Sequence, residues 1–274
     1  MNYTKQNAGN LYRQLTEQTE ATYLKAIFTR KKKPSVYDSK IGGCPYWDDS
    51  RPWPAADNGT PLMMLAQVNL GLVPPDKRLP GTGMLQFFIY PAYPHKKAYA
   101  VVHNPLKGSP IPEEELLRRG LPISTRIPAG AGWESPVVGE LSLIFHNAEA
   151  AMSGMDYRFP EKIRKIAESA NIRLPDDFDW LDLTKDLSKT KSDAWFDSMY
   201  DTKLFGYPHF CQQDPRTYAD AGCKNMELLF QISPEKNCCG SVMFADDGIC
   251  HFWISPDDLK AHDFSRVKFT WECD

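Results

Sequence analysis

A cysteine that follows two glycines is the residue of this chain best placed to act as a nucleophile. Cys44 comes directly after Gly42 and Gly43, in a predicted turn where a thiol could be exposed. A cysteine nucleophile needs a neighbouring base and a lowered pKa. Four histidines could supply this base: His95, His103, His146 and His209. The sequence does not select among them. The pattern therefore favours a turn residue at Cys44 over a nucleophile.

Further cysteines are concentrated in the C-terminal part of the chain, close to two histidines. The group consists of Cys211, Cys223, Cys238, Cys239, Cys250, His209 and His251. Zinc sites usually take their four ligands in closely spaced pairs, and neither Cys-x-x-Cys nor His-x-x-x-His occurs here. In an extended chain, the adjacent Cys238 and Cys239 would point in different directions. The sequence therefore predicts packing cysteines, no metal and no cofactor, with zinc binding as an alternative.

Asp214 and Arg216 form a charged pair separated by a proline. The planar guanidinium fork of an arginine suits carboxylates and phosphates, so this pair could bracket a polar ligand. The two side chains could equally bind backbone groups and fix the loop. The sequence favours the fixing role, because a buried arginine usually serves to hold its surroundings in place.

Two glutamines stand inside strongly apolar segments. Gln67 and Gln231 each need hydrogen-bond partners, since a buried amide without them is costly. Their side chains either bind the nearby Gly-x-Pro turns or face a shared cleft, and the sequence favours the turns. Trp47 and Trp53 lie beside one of these turns, where aromatic residues either fill the core or form a recognition surface.

These residues belong to an internal repeat, which must position them. Pro45 and Pro208 are 163 positions apart, Gln67 and Gln231 are 164 apart, and the apolar strands that end at Ile89 and Ile254 are 165 apart. Each segment is rich in aromatic and aliphatic residues between Gly, Pro, Asn and Asp, which is typical of buried strands. We therefore expect two similar half-domains around a pseudo-two-fold axis.

The same segments carry a resemblance to the bacterial YwqG-like family. The matching motifs are Gly42-Gly43-Cys44-Pro45, Trp53-Pro54, Gly59-Thr60-Pro61-Leu62, Leu65-Ala66-Gln67-Val68-Asn69-Leu70, Leu79-Pro80, Gly83-Met84-Leu85-Gln86-Phe87-Phe88-Ile89, Gly206-Tyr207-Pro208, Gln213-Asp214-Pro215-Arg216, Leu228-Leu229-Phe230-Gln231-Ile232, Phe252-Trp253-Ile254 and Asp263-Phe264-Ser265-Arg266-Val267. The likeness runs from about Gly42 to Cys273. It implies a mainly β, roll-like fold and a family of unknown function, with no active site to carry over.

Composition narrows the class of protein. The chain has 274 residues, 42% hydrophobic and 24% charged, with a net charge of −3. This balance is normal for a globular protein and does not favour nucleic-acid binding. The basic run from Arg30 to Lys33 is interpreted as a helix C-terminus. The seven cysteines, the polar N-terminus and the lack of a long apolar run favour a reduced, cytoplasmic protein that does not enter a membrane.

The predicted fold is therefore α+β: mainly β with peripheral helices, roll-like and internally duplicated. Residues 1–34, with a helix over 9–29, form a helical cover on a single domain of residues 35–274. Within that domain, the half-repeats 35–91 and 205–274 are joined by an insertion, 92–204. Shorter predictions are a strand near Val36–Ile41, strands over Ala98–His103, Val137–Phe145 and Val267–Cys273, helices over Pro112–Leu117 and Pro160–Ala167, a helix-rich Asp176–Tyr200, a hairpin turn at Asp246–Gly248 and a helix that begins at Ser255.

These features lead to two hypotheses for the function. The first is a cytosolic, non-catalytic binding protein that neutralises a protein partner, with its contacts where the two repeat turns meet. The candidate binding residues are Trp47, Trp53, Gln67, His209, Asp214, Arg216 and Gln231. The alternative is a hydrolase or transferase that uses Cys44 or His209 with Asp214 in a cleft between the repeats. The sequence leaves the oligomeric state open.

Overall fold

The computed structural model describes residues 1–30, 33–92, 98–127, 135–218 and 221–273. Over these residues the chain forms twelve strands and six α-helices, so the predicted α+β class, mainly β, is confirmed. The strands are β1 (Ala21–Thr29), β2 (Lys40–Gly42), β3 (Met63–Asn69), β4 (Met84–Ile89), β5 (Tyr99–Asn104), β6 (Val137–Ala150), β7 (Lys203–Leu204), β8 (Glu227–Ile232), β9 (Glu235–Asn237), β10 (Gly240–Val242), β11 (Ile249–Ile254) and β12 (Lys268–Glu272). The helices are α1 (Lys5–Thr19), α2 (Glu113–Arg118), α3 (Phe159–Ser169), α4 (Trp180–Asp186), α5 (Lys189–Tyr200) and α6 (Pro256–Ala261).

One antiparallel sheet contains all of these strands. Its main path runs β12-β11-β8-β7-β1-β6-β2-β3-β4-β5, and the hairpin β9–β10 attaches to the start of β6. The centre is the long pairing of β1 with β6, from Ala21 opposite Ala150 to Thr29 opposite Ser142. Four strands flank this pair on each side. The edge strands approach each other, since the rings of Tyr99 on β5 and Phe269 on β12 are 5.7 Å apart.

The inside of this curved sheet is filled by aromatic side chains from both flanks. Phe87 of β4 lies 4.8 Å from the ring of Phe230 on β8 and 4.7 Å from that of Phe252 on β11. All three rings are fully buried. Burying each such side chain contributes about 1.5–3 kcal/mol, so these contacts hold the two flanks together.

The two flanks share one irregularity in their strand pairing. In the pairing of β3 with β4, the register shifts between Met64 and Ala66, which leaves Leu65 as the extra residue. In the pairing of β8 with β11, Phe252 faces Phe230 and Trp253 faces Leu228, which leaves Leu229 as the extra residue. A bulge bends its strand and increases the local twist, so both flanks bend at corresponding places.

Helices α1, α3, α4 and α5 form a second, smaller core beside the sheet. Leu11 and Leu15 of α1 pack with Ile163 of α3 and with Trp195 and Met199 of α5. In α5, the buried Trp195 and Met199 are four residues apart and therefore lie on one face of the helix. This leaves Phe196 and Tyr200, also four apart, together on the exposed side of α5.

The N-terminal prediction is wrong in its second half. The helix ends at Thr19, and residues 21–29 form β1 in the middle of the sheet instead of continuing the helix. Tyr23, Ile27 and Phe28 belong to the residue types that fit a pleated surface, and pairing with β6 decides between strand and helix. The interpretation of the basic run as a helix C-terminus fails as well, because a strand precedes Arg30; residues 31–32 lie outside the described part of the chain.

Most of the other local predictions are confirmed. Strands β5, β6 and β12, helices α2 and α3, and the helix-rich segment before β7 all form where expected. The side chain of Ser255 accepts a hydrogen bond from the backbone N–H of Asp258 and so caps α6. The strand predicted near residues 36–41 is shorter and occupies Lys40–Gly42. In the described residues, no helix combines the length and the apolar character that crossing a membrane would require.

Candidate functional site

The two repeated glutamines make the same set of hydrogen bonds. The side-chain oxygen of Gln67 accepts from the backbone N–H of Tyr46 at 3.0 Å, and its amide nitrogen donates to the carbonyls of Val36 and Asp38. Gln231 accepts from the N–H of His209 at 2.8 Å. Its amide nitrogen donates to the carbonyls of Met199 at 2.8 Å and Asp201 at 3.0 Å. The predicted bonding of both glutamines to the turn segments is therefore confirmed.

Trp47 and Trp53 are not brought together with His209. Trp47 is 1% exposed and packs against Phe88, with ring centroids 5.7 Å apart. The indole N–H of Trp53 donates to the carbonyl of Leu62 at 2.8 Å. His209 instead lies against α5, beside a separate group of side chains around Phe210. One shared contact face stays a prediction; Trp47 is buried and Trp53 partly buried in the apolar group around Phe88.

Asp214 and Arg216 form a buried ion pair with Asp156. The guanidinium of Arg216 binds both carboxylate oxygens of Asp214 and donates to Asp156 at 2.8 Å. It also lies 5.0 Å from the ring centre of Trp253. The Asp214 carboxylate accepts from the backbone N–H of Tyr157 as well. This arrangement ties the 214–217 turn to the segment before α3, and it matches the loop-fixing role that the sequence favours.

His209, one of the predicted site residues, lines an open cleft. The cleft has a volume of about 650 Å³ and lies between α4, α5 and the segment after β7. The residues that form its aromatic wall are Trp180, Phe196, Tyr200 and Phe210. The polar residues His209 and Ser233 line it as well. We call this site the aromatic cleft.

The aromatic rings of the cleft form a continuous series. Trp180 and Phe196 are stacked with ring centroids 6.2 Å apart, and Phe196 contacts Tyr200 at 5.0 Å. The ring of Tyr200 lies 4.0 Å from that of His209. Because Phe196 and Tyr200 project from one face of α5, the helix itself aligns them over His209. Such an arrangement can hold a flat or apolar group between rings.

The imidazole of His209 is electrically neutral at ordinary pH. Burial, followed by the nearby charge of Lys203, lowers the pKa of His209 to about 4. Its Nδ1 atom is buried and lacks a hydrogen-bond partner among the described residues, and so does the hydroxyl oxygen of Ser233. His251 beneath it uses Nε2 for a 2.7 Å hydrogen bond to the carbonyl of His209. His209 and Ser233 thus line the cleft, while these two polar atoms are themselves buried beneath its surface.

The cysteine nucleophile that the sequence leaves open is not supported at Cys44. Burial raises the pKa of its thiol to about 11, which Lys40 offsets only in part. Its sulfur lies 3.7 Å from the carbonyl of Pro45. Of the four candidate bases, His103 binds the carbonyl of Thr82, His209 faces the aromatic cleft, and His95 lies outside the described residues. An uncharged, buried thiol is a poor nucleophile.

Zinc binding by the C-terminal cysteines is also unsupported. Cys223 and Cys250 are fully buried in two different apolar clusters. Across the described ranges, no three His, Cys, Asp or Glu side chains converge in a way that could hold a metal ion. Cys238 and Cys239 do not point apart as expected, because they stand in a turn instead of an extended strand.

Comparison with known proteins gives a family. Residues 39–273 match a family model described as a domain of unknown function, DUF1963. The chain belongs to the DUF1963 family. No curated protein sequence matches it. The DUF1963 match spans all the strands except β1, together with every residue of the aromatic cleft.

Sequence reasoning missed most of the aromatic cleft. Trp180, Phe196 and Tyr200 stand in the predicted insertion between the two half-repeats, residues 92–204, for which the sequence analysis names no site residue. The available signal was the spacing along α5: two aromatic residues four positions apart, on a face turned about 100° from that of Trp195 and Met199. A helix with apolar residues on both faces has one face that needs a second partner.

Proposed function

We propose that this protein is a cytosolic, non-catalytic binding protein that takes an apolar side chain of a protein partner into the aromatic cleft. The observation that carries the proposal is the rim of the cleft. Leu181, Phe196 and Tyr200 are 47%, 39% and 43% exposed, and all three line the cleft. A contiguous group of exposed large hydrophobic side chains is typical of an interaction site. Aromatic residues of this kind dominate the binding energy at protein interfaces.

The polar residues His209 and Ser233 in the wall of the cleft support a partner residue that has a polar end. His209 Nδ1 and the Ser233 hydroxyl are both without a hydrogen-bond partner among the described residues. A buried polar atom of this kind is costly until a partner satisfies it. A tyrosine or tryptophan of the partner fits both requirements, because its ring can stack between aromatic walls and its O–H or N–H can bond the interior.

The charge state of the site favours binding over acid–base catalysis. His209, with a pKa of about 4, stays neutral near pH 7 and lies far from the range that suits a general base. The carboxylate expected to assist it, Asp214, is bound to Arg216 and does not line the cleft. The pair of His209 and Asp214 that the rival hydrolase or transferase would use therefore does not line this cleft together.

We also infer that the two flanks of the sheet are copies of one ancestral unit, arranged as a roll. Three kinds of correspondence support this: the hydrogen bonds of Gln67 and Gln231, the matching bulges at Leu65 and Leu229, and the 163–165-residue spacing of the motifs. The spacing also makes Tyr37 the counterpart of Tyr200. The resemblance to the YwqG-like family agrees with this architecture.

The test is a comparison of two double variants in the cell from which the protein comes. Phe196→Ala/Tyr200→Ala removes the outer wall of the aromatic cleft. Tyr37→Ala/Tyr218→Ala removes two aromatic residues of similar exposure elsewhere on the surface. The proposal expects a partner that co-purifies with the wild-type chain and the control, and that is bound at least tenfold more weakly by the cleft variant.

A second measurement locates the contact. Hydrogen exchange in the purified complex should slow at residues 196–200 and 209–211 and stay unchanged around Tyr37. Equal affinity of the two double variants for the partner, or protection confined to another surface, would reject the aromatic cleft as the binding site. Circular dichroism of both variants verifies that the fold is retained.

A further inference from the structure

Two adjacent cysteines occupy the tip of the β9–β10 hairpin. Asn237 pairs with Gly240 across the hairpin, so Cys238 and Cys239 are its two loop residues. The side-chain oxygen of Asn237 accepts a 2.8 Å hydrogen bond from the N–H of Cys239, which stabilises this turn. The two sulfur atoms lie 3.7 Å apart, because the turn brings together side chains that an extended chain would separate.

This cysteine pair is accessible from solvent. Cys238 is exposed and Cys239 is half-buried, whereas Cys44, Cys223 and Cys250 are buried. A small reagent in solution can therefore reach the sulfur of Cys238 and find a second thiol within contact distance. Reactivity of cysteines towards oxidants follows their exposure and the proximity of a resolving thiol.

We propose that Cys238 and Cys239 form a vicinal dithiol that is reversibly oxidised to a disulfide by low-molecular-weight disulfides. The thiolate of Cys238 attacks one sulfur of the small disulfide, which forms a mixed disulfide and releases the first small thiol. The thiolate of Cys239 then attacks the sulfur of Cys238 and releases the second small thiol. The protein loses two protons and two electrons, and the small disulfide is reduced to two thiols.

The geometry favours a labile disulfide over a structural one. The sulfurs have to approach from 3.7 Å to about 2.0 Å. Consecutive Cα atoms are about 3.8 Å apart, which is below the range usual for disulfide-bonded cysteines. A disulfide closed over such a short span is strained, and strained, exposed disulfides are the easily reduced ones.

The tip of the hairpin also contacts the central strand pair of the sheet. The carbonyl of Cys239 accepts a 3.4 Å hydrogen bond from the N–H of Glu140 in β6. Gly139 beside it has a positive φ, and a Cβ atom there would come within 2.5 Å of the same carbonyl. Closing the disulfide therefore changes a turn that is tightly packed against β6. Oxidation should for this reason alter the hydrogen-exchange rates of the backbone N–H groups at residues 137–142.

The experiment uses the reduced full-length protein with Cys211→Ser and Cys273→Ser, which removes the other partly exposed thiols. It is incubated with glutathione disulfide and its intact mass is measured. We expect the mass to fall by two hydrogen atoms with no glutathione retained, and to return on treatment with dithiothreitol. Adding Cys239→Ser removes the resolving thiol, so one glutathione should then remain attached to Cys238.

Other results would overturn the proposal. One is retention of glutathione on both cysteines of the protein that keeps Cys238 and Cys239. Another is a mass decrease that persists in the Cys239→Ser variant. A third is the absence of any reaction while an unfolded sample of the same protein is oxidised. Circular dichroism before and after oxidation separates closure of the hairpin disulfide from unfolding that exposes Cys250.

Discussion

The backbone N–H of His209 donates a 2.8 Å hydrogen bond to the side-chain oxygen of Gln231. The amide nitrogen of the same glutamine donates to the carbonyls of Met199 and Asp201, at the end of α5. One buried side chain therefore fixes both the histidine of the aromatic cleft and the helix that carries its aromatic wall. The corresponding Gln67 fixes the Tyr46 turn in the same way.

Replacement of Gln231 should destabilise the protein and disorder the aromatic cleft. Gln231→Leu leaves the N–H of His209 and two carbonyls without partners, which we expect to lower the free energy of unfolding by about 3 kcal/mol. Gln67→Leu should have a similar effect on stability, measured by urea denaturation. Only Gln231→Leu should speed hydrogen exchange at residues 196–200. If both variants changed exchange there equally, Gln231 would have no specific positioning role.

The buried ion cluster should make the protein sensitive to acid. Burial alone would raise the pKa of Asp156, but hydrogen bonds from Arg158 and the charge of Arg216 outweigh it and lower that pKa. The stability contributed by the ionised form is present above about pH 4, the usual carboxyl range, and is lost as pH falls through the lower pKa of the folded state.

Asp156→Asn tests this arrangement. Leaving Arg216 without one of its buried partners should lower the free energy of unfolding by about 3–5 kcal/mol at pH 7. The difference from wild type should shrink as the pH falls below about 4, because Asp156 is protonated first in the unfolded chain and only at lower pH in the folded protein. Lys165→Ala, which removes an exposed ion pair with Glu161, should leave the urea midpoint in place. If the difference in free energy of unfolding between wild type and Asp156→Asn stayed constant down to pH 2, the charge of Asp156 would not be involved.

The thiol of Cys44 should be inert in the folded protein. Because burial raises its pKa to about 11, almost none of it is thiolate at pH 7.5. Iodoacetamide should modify Cys238 in the folded protein, whereas Cys44 should react over the same time only after urea has unfolded the chain. Peptide mass spectrometry follows both reactions. Rapid native modification of Cys44 would revive the nucleophile hypothesis, and a Cys44→Ser variant would then be assayed for loss of function.

The sequence was sufficient for those features that depend on local chemistry. The apolar runs around Gln67 and Gln231 predicted buried strands, and the need of each amide for partners predicted its bonding to the turns. The serine, proline and acidic residues from Ser255 onward predicted the start of α6. In each case, residues close together in the chain determine the structure that forms.

Features that depend on tertiary partners were beyond the sequence. Residues 21–29 have apolar spacing compatible with a helix, and only the pairing with β6 makes them a strand. The aromatic cleft requires that α5 lie over the turn at His209, which no spacing in the chain reveals. The placement of Trp47 in its own core and of His209 in the cleft follows from the separation of β2 and β7 by the β1–β6 pair.

The buried Lys203 should give the protein an unusual dependence on alkaline pH. Burial lowers the pKa of Lys203 to about 7, although Asp201 favours its charged form and it donates to the carbonyls of Ser198 and Met199. In the unfolded chain a lysine titrates near 10.4. Between these values the unfolded state binds a proton that the folded state has released, so the free energy of unfolding should rise as the pH increases from about 7 to about 10.

Lys203→Met should flatten this rise, while Lys191→Met on the exposed part of α5 should not. Urea denaturation at several pH values measures both slopes, and parallel curves for Lys203→Met and wild type would place the pKa of Lys203 in the ordinary range.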